Sequence, residues 1–274
     1  MRLLAPAALL AAAVLAATPV AAGGERFAKQ LEQKAPTVVV LKLVLKIGEH
    51  ENAVERVATV IDPAGVVMTT GLGSTRGGVK VAIESARVVF PGDEKEYDAV
   101  LGAFDSRLGL SFFRVKDLGG KKIASVNLDD AVEPKVGDEL FGVSRLEDGF
   151  DYAPFYGTCE VVGQVTKPRA MWMATGSIVA ALAHPLYAAD GRVAGILIQQ
   201  QGVSEGPRWA KTFLLPMSAA KLVIAQAVER SAKALEDAKA AAQDGADTAA
   251  PDAPPAMGGD DAKPGDGTPP GMGG

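Results

Sequence analysis

The stretch V-A-A-L-A-H-P-L-Y-A-A-D-G-R-V-A-G-I-L-I, residues 179–198, holds small residues, a proline, a short turn and an apolar run within twenty positions. The run from Arg192 to Gln199 has the composition of a buried strand, and Asp190-Gly191 before it is a turn pair. The segment also carries His184, one of only two histidines in the chain. Similar units lie upstream. Thr37 to Ile47, T-V-V-V-L-K-L-V-L-K-I, begins as a β-branched run and becomes alternating at Lys42 and Lys46, so one end is expected to be buried on both faces and the other on one. Val54 to Ile61 and Val66 to Thr70 flank Asp62-Pro63-Ala64-Gly65, which reads as a hairpin. Further strand segments are Val79 to Ile83, Ala86 to Phe90, Glu96 to Phe104, Gly109 to Val115, Glu139 to Val143, Thr158 to Thr166 and Ala170 to Met173. Many short strands at regular spacing indicate an all-β sandwich or barrel, and periodicity does not choose between them.

Helical spacing occurs at the two ends. Phe27 and Leu31 lie four apart in Glu25 to Lys34, which predicts a short helix ending before Ala35-Pro36. From Ser218 onward, Leu222, Ala225, Val228, Ala232 and Leu235 recur at spacings of three and four, with Ser218 expected as N-cap. The helix is expected to end at Ala240. Residues 241–274, rich in alanine, proline, glycine and aspartate, are expected to be a disordered tail, since they hold too little apolar surface to offset the entropy of ordering.

With 274 residues and 48% hydrophobic content, the chain can build one domain of about two hundred residues. Met1-Arg2, the apolar run Leu3 to Ala17 and the small residues to Ala22 read as a secretory signal peptide, leaving a domain over 23–230 and the end of its helix over 231–240. The run is too short and alanine-rich for a membrane span, so an exported protein, periplasmic or secreted, is expected. A single cysteine, Cys159, excludes an internal disulfide. The net charge is −5, and six aspartates against one lysine beyond Ala240 account for most of it. No clustered basic face suggests nucleic acid. Two histidines and one cysteine show no zinc spacing, so neither metal nor cofactor is expected.

Four segments in the same order resemble a trypsin-like serine protease domain of the HtrA/Deg kind, over roughly Phe27 to Val228. V-I-D-P-A-G-V-V-M-T-T-G-L-G, Val60 to Gly73, is similar to I-I-D-x-x-G-x-I-L-T-N-x-H-V, with Leu72 at the place of the general-base histidine. Phe90 to Val115 is similar to D-G-x-x-x-x-A-x-V-x-x-x-D-x-x-x-D-L-A-x-L-K-I, with Gly109 at the triad aspartate and Asp105 on a different family aspartate. Ala180 to Ile196 is similar to G-N-S-G-G-P-L followed by a turn and G-x-V-x-G-I, with Leu182 at the nucleophile. Thr212 to Ile224 is similar to F-A-I-P-x-x-x-V-x-x-V. The resemblance implies a double six-stranded β-barrel with a short N-terminal helix and a C-terminal helix.

A triad needs an imidazole to take the hydroxyl proton, a carboxylate to orient it and a serine to attack, and Leu72, Gly109 and Leu182 do none of these. The resemblance therefore implies a pseudoprotease that binds a protein or peptide as an adaptor, decoy or regulator. Its binding surface is expected in the old cleft, lined by Gly71 to Arg76, Phe150 to Tyr156 and Ala180 to His184. Phe150, Tyr152, Phe155, Tyr156 and His184 are the candidate binding residues, against a reading of the aromatics as local core. The alternative is a divergent serine-type hydrolase with a displaced nucleophile, Ser177 or Ser74 assisted by His184. Against it stands the reading of His184 as a plain loop histidine. His50 reads as solvated, Cys159 as a small strand residue, and Trp172 and Trp209 as core.

Overall fold

The computed structural model describes residues 22–72, 75–76, 79–93, 95–202 and 209–247. The segment before Ala22 that is expected to be a signal peptide, Ser74 and the residues from 248 onward lie outside the described residues, as does the Trp209 side chain. The helix α1 (Ala22–Lys34) leads through a 3-10 turn at Ala35–Thr37 into the first barrel. That barrel comprises β1 (Val38–Ile47), β2 (His50–Asp62), β3 (Val66–Thr70), β5 (Val79–Val89), β6 (Glu96–Asp105) and β7 (Leu110–Val115), with the two-residue β4 (Thr75–Arg76) paired outside the ring on β5. It closes because β1 pairs antiparallel with both β2 and β5. The second barrel comprises β8 (Glu139–Arg145), β9 (Pro154–Val165), β10 (Met171–Gly176), β11 (Pro185–Tyr187), β12 (Val193–Gly202) and β13 (Trp209–Pro216), and closes in the order β10-β13-β12-β11-β8-β9. Two closed six-stranded antiparallel barrels are the architecture that the resemblance implies, and closure settles the choice between sandwich and barrel.

Local chemistry accounts for most of these elements. The Asp62 carboxylate accepts the Ala64 N–H at 2.8 Å and the Gly65 N–H returns to the Asp62 carbonyl, which turns β2 into β3. The break expected between Ile83 and Ala86 is absent. β5 runs through it because a register shift against Val44-Leu45 leaves Glu84 as the extra residue of a bulge, so the strand absorbs the polar pair without ending. β11 has three residues, too few for any period, and β13 was visible only in the F-A-I-P-like segment.

Three apolar clusters result. One fills the first barrel around Leu41, Leu43, Val60, Val88 and Phe113, and one fills the second around Leu140, Val161, Leu186, Leu197 and Leu214. The third lies between them and joins Met68, Leu110 and Phe112 of the first barrel to Val143, Ile196, Ile198 and Leu215 of the second, with Phe27 of α1. Phe27 stands 5.5 Å from the Phe141 ring, which stands 5.4 Å from Tyr187. Trp172 is buried in the second barrel.

The C-terminal helix α2 (Met217–Asp247) corrects three expectations. It begins before Ser218, whose hydroxyl bonds Glu133 at 3.2 Å and lies within the helix instead of capping it. Its buried face is Ala220, Ile224, Ala227 and Ser231, whereas Leu222 is 67% exposed and Ala225 and Ala232 face water. Small residues take the buried face because the helix approaches β6 closely. A Cβ on Gly102 would stand 2.5 Å from Ser231 Cβ and 2.6 Å from its Cα. The helix also continues past Ala240, to Asp247. The chain forms one compact unit to Ala238 and a second from Lys239, of which 239–247 are helical.

Candidate functional site

A cavity of about 370 Å³ opens where the ends of β3 and β12 meet the β6–β7 turn and the loop before β11. Asp105 shapes the β6–β7 turn by accepting the Arg107 and Leu108 N–H groups, both at 2.9 Å, so its carboxylate is committed to the backbone. The Gly71 N–H donates to the Gly109 carbonyl at 2.5 Å, and a Cβ on Gly71 would stand 2.8 Å from both Gly109 and the Phe104 ring, so only glycine fits. Gly109 and Leu182 line the cavity together with Thr70, Ser106, Arg107, Gln199 and Gln200. Leu72 leaves it. Its N–H donates to the Ser111 hydroxyl at 3.1 Å and its side chain packs on the first barrel's core. The described residues that line this cavity include no carboxylate, imidazole or thiol.

The loop before β11 is closed on itself. Ser177–Ala180 is a 3-10 turn, the Ala181 N–H donates to the Ile178 carbonyl at 2.9 Å, and the Leu182 N–H donates to the Ala180 carbonyl at 3.0 Å. Ala183 is buried with φ of +63°, and its N–H reaches Leu197 at 2.7 Å. An acyl-transfer site needs N–H groups aimed at the position of a developing oxyanion. Here the N–H at the nucleophile position is already bonded within its loop.

His184 is a buried loop histidine that reaches across to the first barrel. It is 2% exposed, and its Nδ1 shares a 3.0 Å hydrogen bond with the Thr59 hydroxyl of β2, across the seam between the barrels. Burial pulls its pKa down to about 4, so the ring is neutral. Ser177 is not brought to it. The Ser177 hydroxyl sits over Gly157 and bonds the Thr158 backbone at 3.2 and 3.3 Å. The displaced Ser177–His184 pair is therefore absent, because the two side chains have different partners. His50 is exposed at the start of β2.

The aromatic segment occupies the β8–β9 hairpin, whose tip is a 3-10 turn at Asp148–Phe150 followed by left-handed Asp151 and Tyr152. Its four rings divide between three tasks. Tyr156 stacks on Phe27 at 5.4 Å and covers α1. The Tyr152 hydroxyl donates to Glu55 of β2 at 3.0 Å, and burial with Glu55 and Asp148 nearby raises its pKa. Phe150 and Phe155, 59% and 37% exposed, line a groove of about 360 Å³ with Val40, Val57 and Leu146. This groove shares no lining residue with the cavity at Leu182, so the single cleft expected from Gly71 to Arg76, Phe150 to Tyr156 and Ala180 to His184 is two sites. Arg145 explains the separation. Its guanidinium donates to the carbonyls of Val38 and Ala35, both at 2.7 Å, and of Tyr152 at 3.0 Å, which ties the hairpin to the start of the first barrel.

Arg145 and Thr59 have no motif that marks them, since their partners lie about a hundred positions away in the chain. Gln199 and Gln200 could have been noted as polar residues following an apolar strand. Cys159 is buried, and burial with Glu139 nearby pushes its thiol up to about 11, which makes it inert. No group of three or more potential metal ligands occurs among the described residues.

No profile of a known protein family matches the chain, and no curated protein matches it in sequence. Among solved structures it is similar to the crystal structure of the MamO protease domain from Magnetospirillum magneticum in its apo form. The identity is 15%, over 70% of this chain and 96% of that one, with a TM-score of 0.47. The reading of the site rests on this chain's own geometry.

Proposed function

We propose that this chain is a catalytically inactive domain of trypsin-like fold that binds a protein or peptide in the cell envelope, as an adaptor, decoy or regulator. One observation carries the reading. Among the described residues, the cavity shared by Gly109 and Leu182 is lined by apolar, hydroxyl, amide and guanidinium side chains and by no base, and the Leu182 N–H is spent on the Ala180 carbonyl. Acyl transfer needs a nucleophile–base pair and a free oxyanion donor, and the described lining offers neither at that position.

The edge of β12 supports a peptide ligand. Leu197 donates to the His184 carbonyl and accepts from the Ala183 N–H, so the alternate residue Gln199 turns its own N–H and C=O toward the same side. β11 ends its pairing at Ile196, and no described strand pairs with Gln199 on that side. An extended peptide adding there pairs with both groups, replacing the long 3.5 Å contact from the Gln200 side-chain amide to the Gln199 carbonyl, and places its side chains in the cavity beside Ser106 and Arg107. Export to the envelope is part of the proposal and rests on the character of residues 1–22.

The test is labelling of the purified domain with a serine-directed fluorophosphonate, together with turnover of casein. The expected result is neither labelling nor turnover. Labelling that a single serine substitution abolishes refutes the inactive reading.

A further inference from the structure

We propose that the groove between β2 and the β8–β9 hairpin is a second docking surface, built for a cationic and apolar segment of a partner protein. The proposal deepens the binding-domain reading and rests on it, but the groove and the Leu182 cavity share no lining residue and can fail separately.

The groove is apolar inside and acidic at its lip. Val40, Val57, Leu146, Phe150 and Phe155 supply the apolar wall, and its volume of about 360 Å³ suits one or two large side chains. Phe150 stands 59% exposed at the tip, where most of a large aromatic side chain is left in water and becomes a natural anchor for a partner. The surface is also pre-shaped. Arg145 fastens the base of the hairpin through three carbonyls, and Tyr152 fastens its tip to Glu55, so a ligand meets walls already ordered.

Charge selects the occupant. The hairpin tip from Leu146 to Phe155 carries Glu147, Asp148 and Asp151 and no lysine or arginine, and Glu55 adds a carboxylate from the opposite wall. Of the two cations in the lining, Arg145 is spent on backbone carbonyls and Arg56 remains, while Lys42, 3.8 Å from Glu55, is already held by Glu96 at 2.9 Å, so the carboxylates outnumber the cations that face them. A segment with leucine-like and lysine-like side chains in alternation fills the apolar wall and meets the lip. The same charge rejects the chain's own aspartate-rich residues beyond Ala240 and rejects an anionic lipid surface.

The experiment is fluorescence anisotropy of the whole domain with three short labelled peptides: alternating leucine and lysine, alternating leucine and glutamate, and alternating serine and lysine. The expected result is binding of the leucine–lysine peptide alone, weakened by salt. It weakens at least tenfold in the double variant Phe150→Ser, Phe155→Ser, and at least tenfold in Glu147→Gln, Asp148→Asn. All four side chains are exposed, so the fold survives their loss, and unchanged circular dichroism checks this. Ser106→Trp, which fills the other cavity, leaves the affinity unchanged. Equal binding of the leucine–glutamate peptide, no binding of any peptide, or unchanged affinity in both double variants overturns the proposal. Loss of binding in Ser106→Trp alone also overturns it while leaving the cleft as the peptide site. Co-sedimentation with phosphatidylglycerol vesicles in place of peptide binding assigns the groove to lipid and overturns it as well.

Discussion

His184 makes the stability of this protein depend on pH in a window whose upper part lies above the range of its perturbed carboxylates. In the unfolded chain the imidazole titrates near its ordinary value of 6.5, whereas burial holds it near 4 in the folded protein. Above pH 6.5 both states carry a neutral ring and the contribution is fully present. As the pH falls from 6.5 to 4 the unfolded chain takes up a proton that the folded chain refuses, and each pH unit costs about 1.4 kcal/mol. The loss reaches about 3 kcal/mol at pH 4 and does not grow below it. The strongly perturbed carboxylates act lower. Asp93, held down to about 2 by hydrogen bonds from Lys121 and Tyr97, and Glu96, lowered by its hydrogen bond from Lys42, lose their contributions only as the pH falls through and below the carboxylate range. The assay is equilibrium urea denaturation from about pH 7 to about pH 4.5, comparing the protein with His184→Asn, whose amide takes the place of Nδ1 toward the Thr59 hydroxyl but does not titrate. The parent loses stability steeply across the window and the variant does not. Equal slopes in the two proteins refute the reasoning, since the pH dependence then belongs to another group.

Three further outcomes test the packing and the chemistry. Gly102→Ala, which drives a methyl into Ser231 where α2 crosses β6, destabilises the protein by about 1–3 kcal/mol and is read as a lowered denaturation midpoint. Arg145→Met strands the carbonyls of Ala35, Val38 and Tyr152 and costs about 2–4 kcal/mol by the same measurement; Arg145→Lys recovers only part of this because an ammonium does not span three carbonyls. The triple variant Leu72→His, Gly109→Asp, Leu182→Ser hydrolyses a nitrophenyl ester at least about a hundredfold more slowly than an intact triad with its oxyanion donors would, because the N–H of residue 182 stays bonded to Ala180. Full activity in that variant shows instead that the loop opens.

What local chemistry writes into a chain was readable here. β-Branched and alternating runs located most strands, Asp62-Pro63-Ala64-Gly65 announced a hairpin, and Phe27 and Leu31 marked the buried side of α1. The resemblance to a trypsin-like domain implied that Leu72, Gly109 and Leu182 lie in one place in the fold. The structure puts Gly109 and Leu182 in one cavity and Leu72 beside its wall, next to Gly71. The failures share a cause. β5 looked broken because a bulge can absorb Glu84, and α2 showed the wrong face because close approach to Gly102 favours Ala227 and Ser231 over Leu222. Both depend on a neighbour distant in sequence.

The sequence by itself determined that three catalytic residue types are missing where a trypsin-like resemblance expects them, since a side chain's chemistry does not depend on its surroundings. Surroundings decided the rest. Only the tertiary structure showed that His184 is a neutral tie between the barrels, that Ser177 is occupied by Thr158, and that the aromatic hairpin forms a groove apart from the Leu182 cavity. Burial, hydrogen-bond partners and the meeting of charged walls are properties of residues brought together from distant parts of the chain, and no local pattern encodes them.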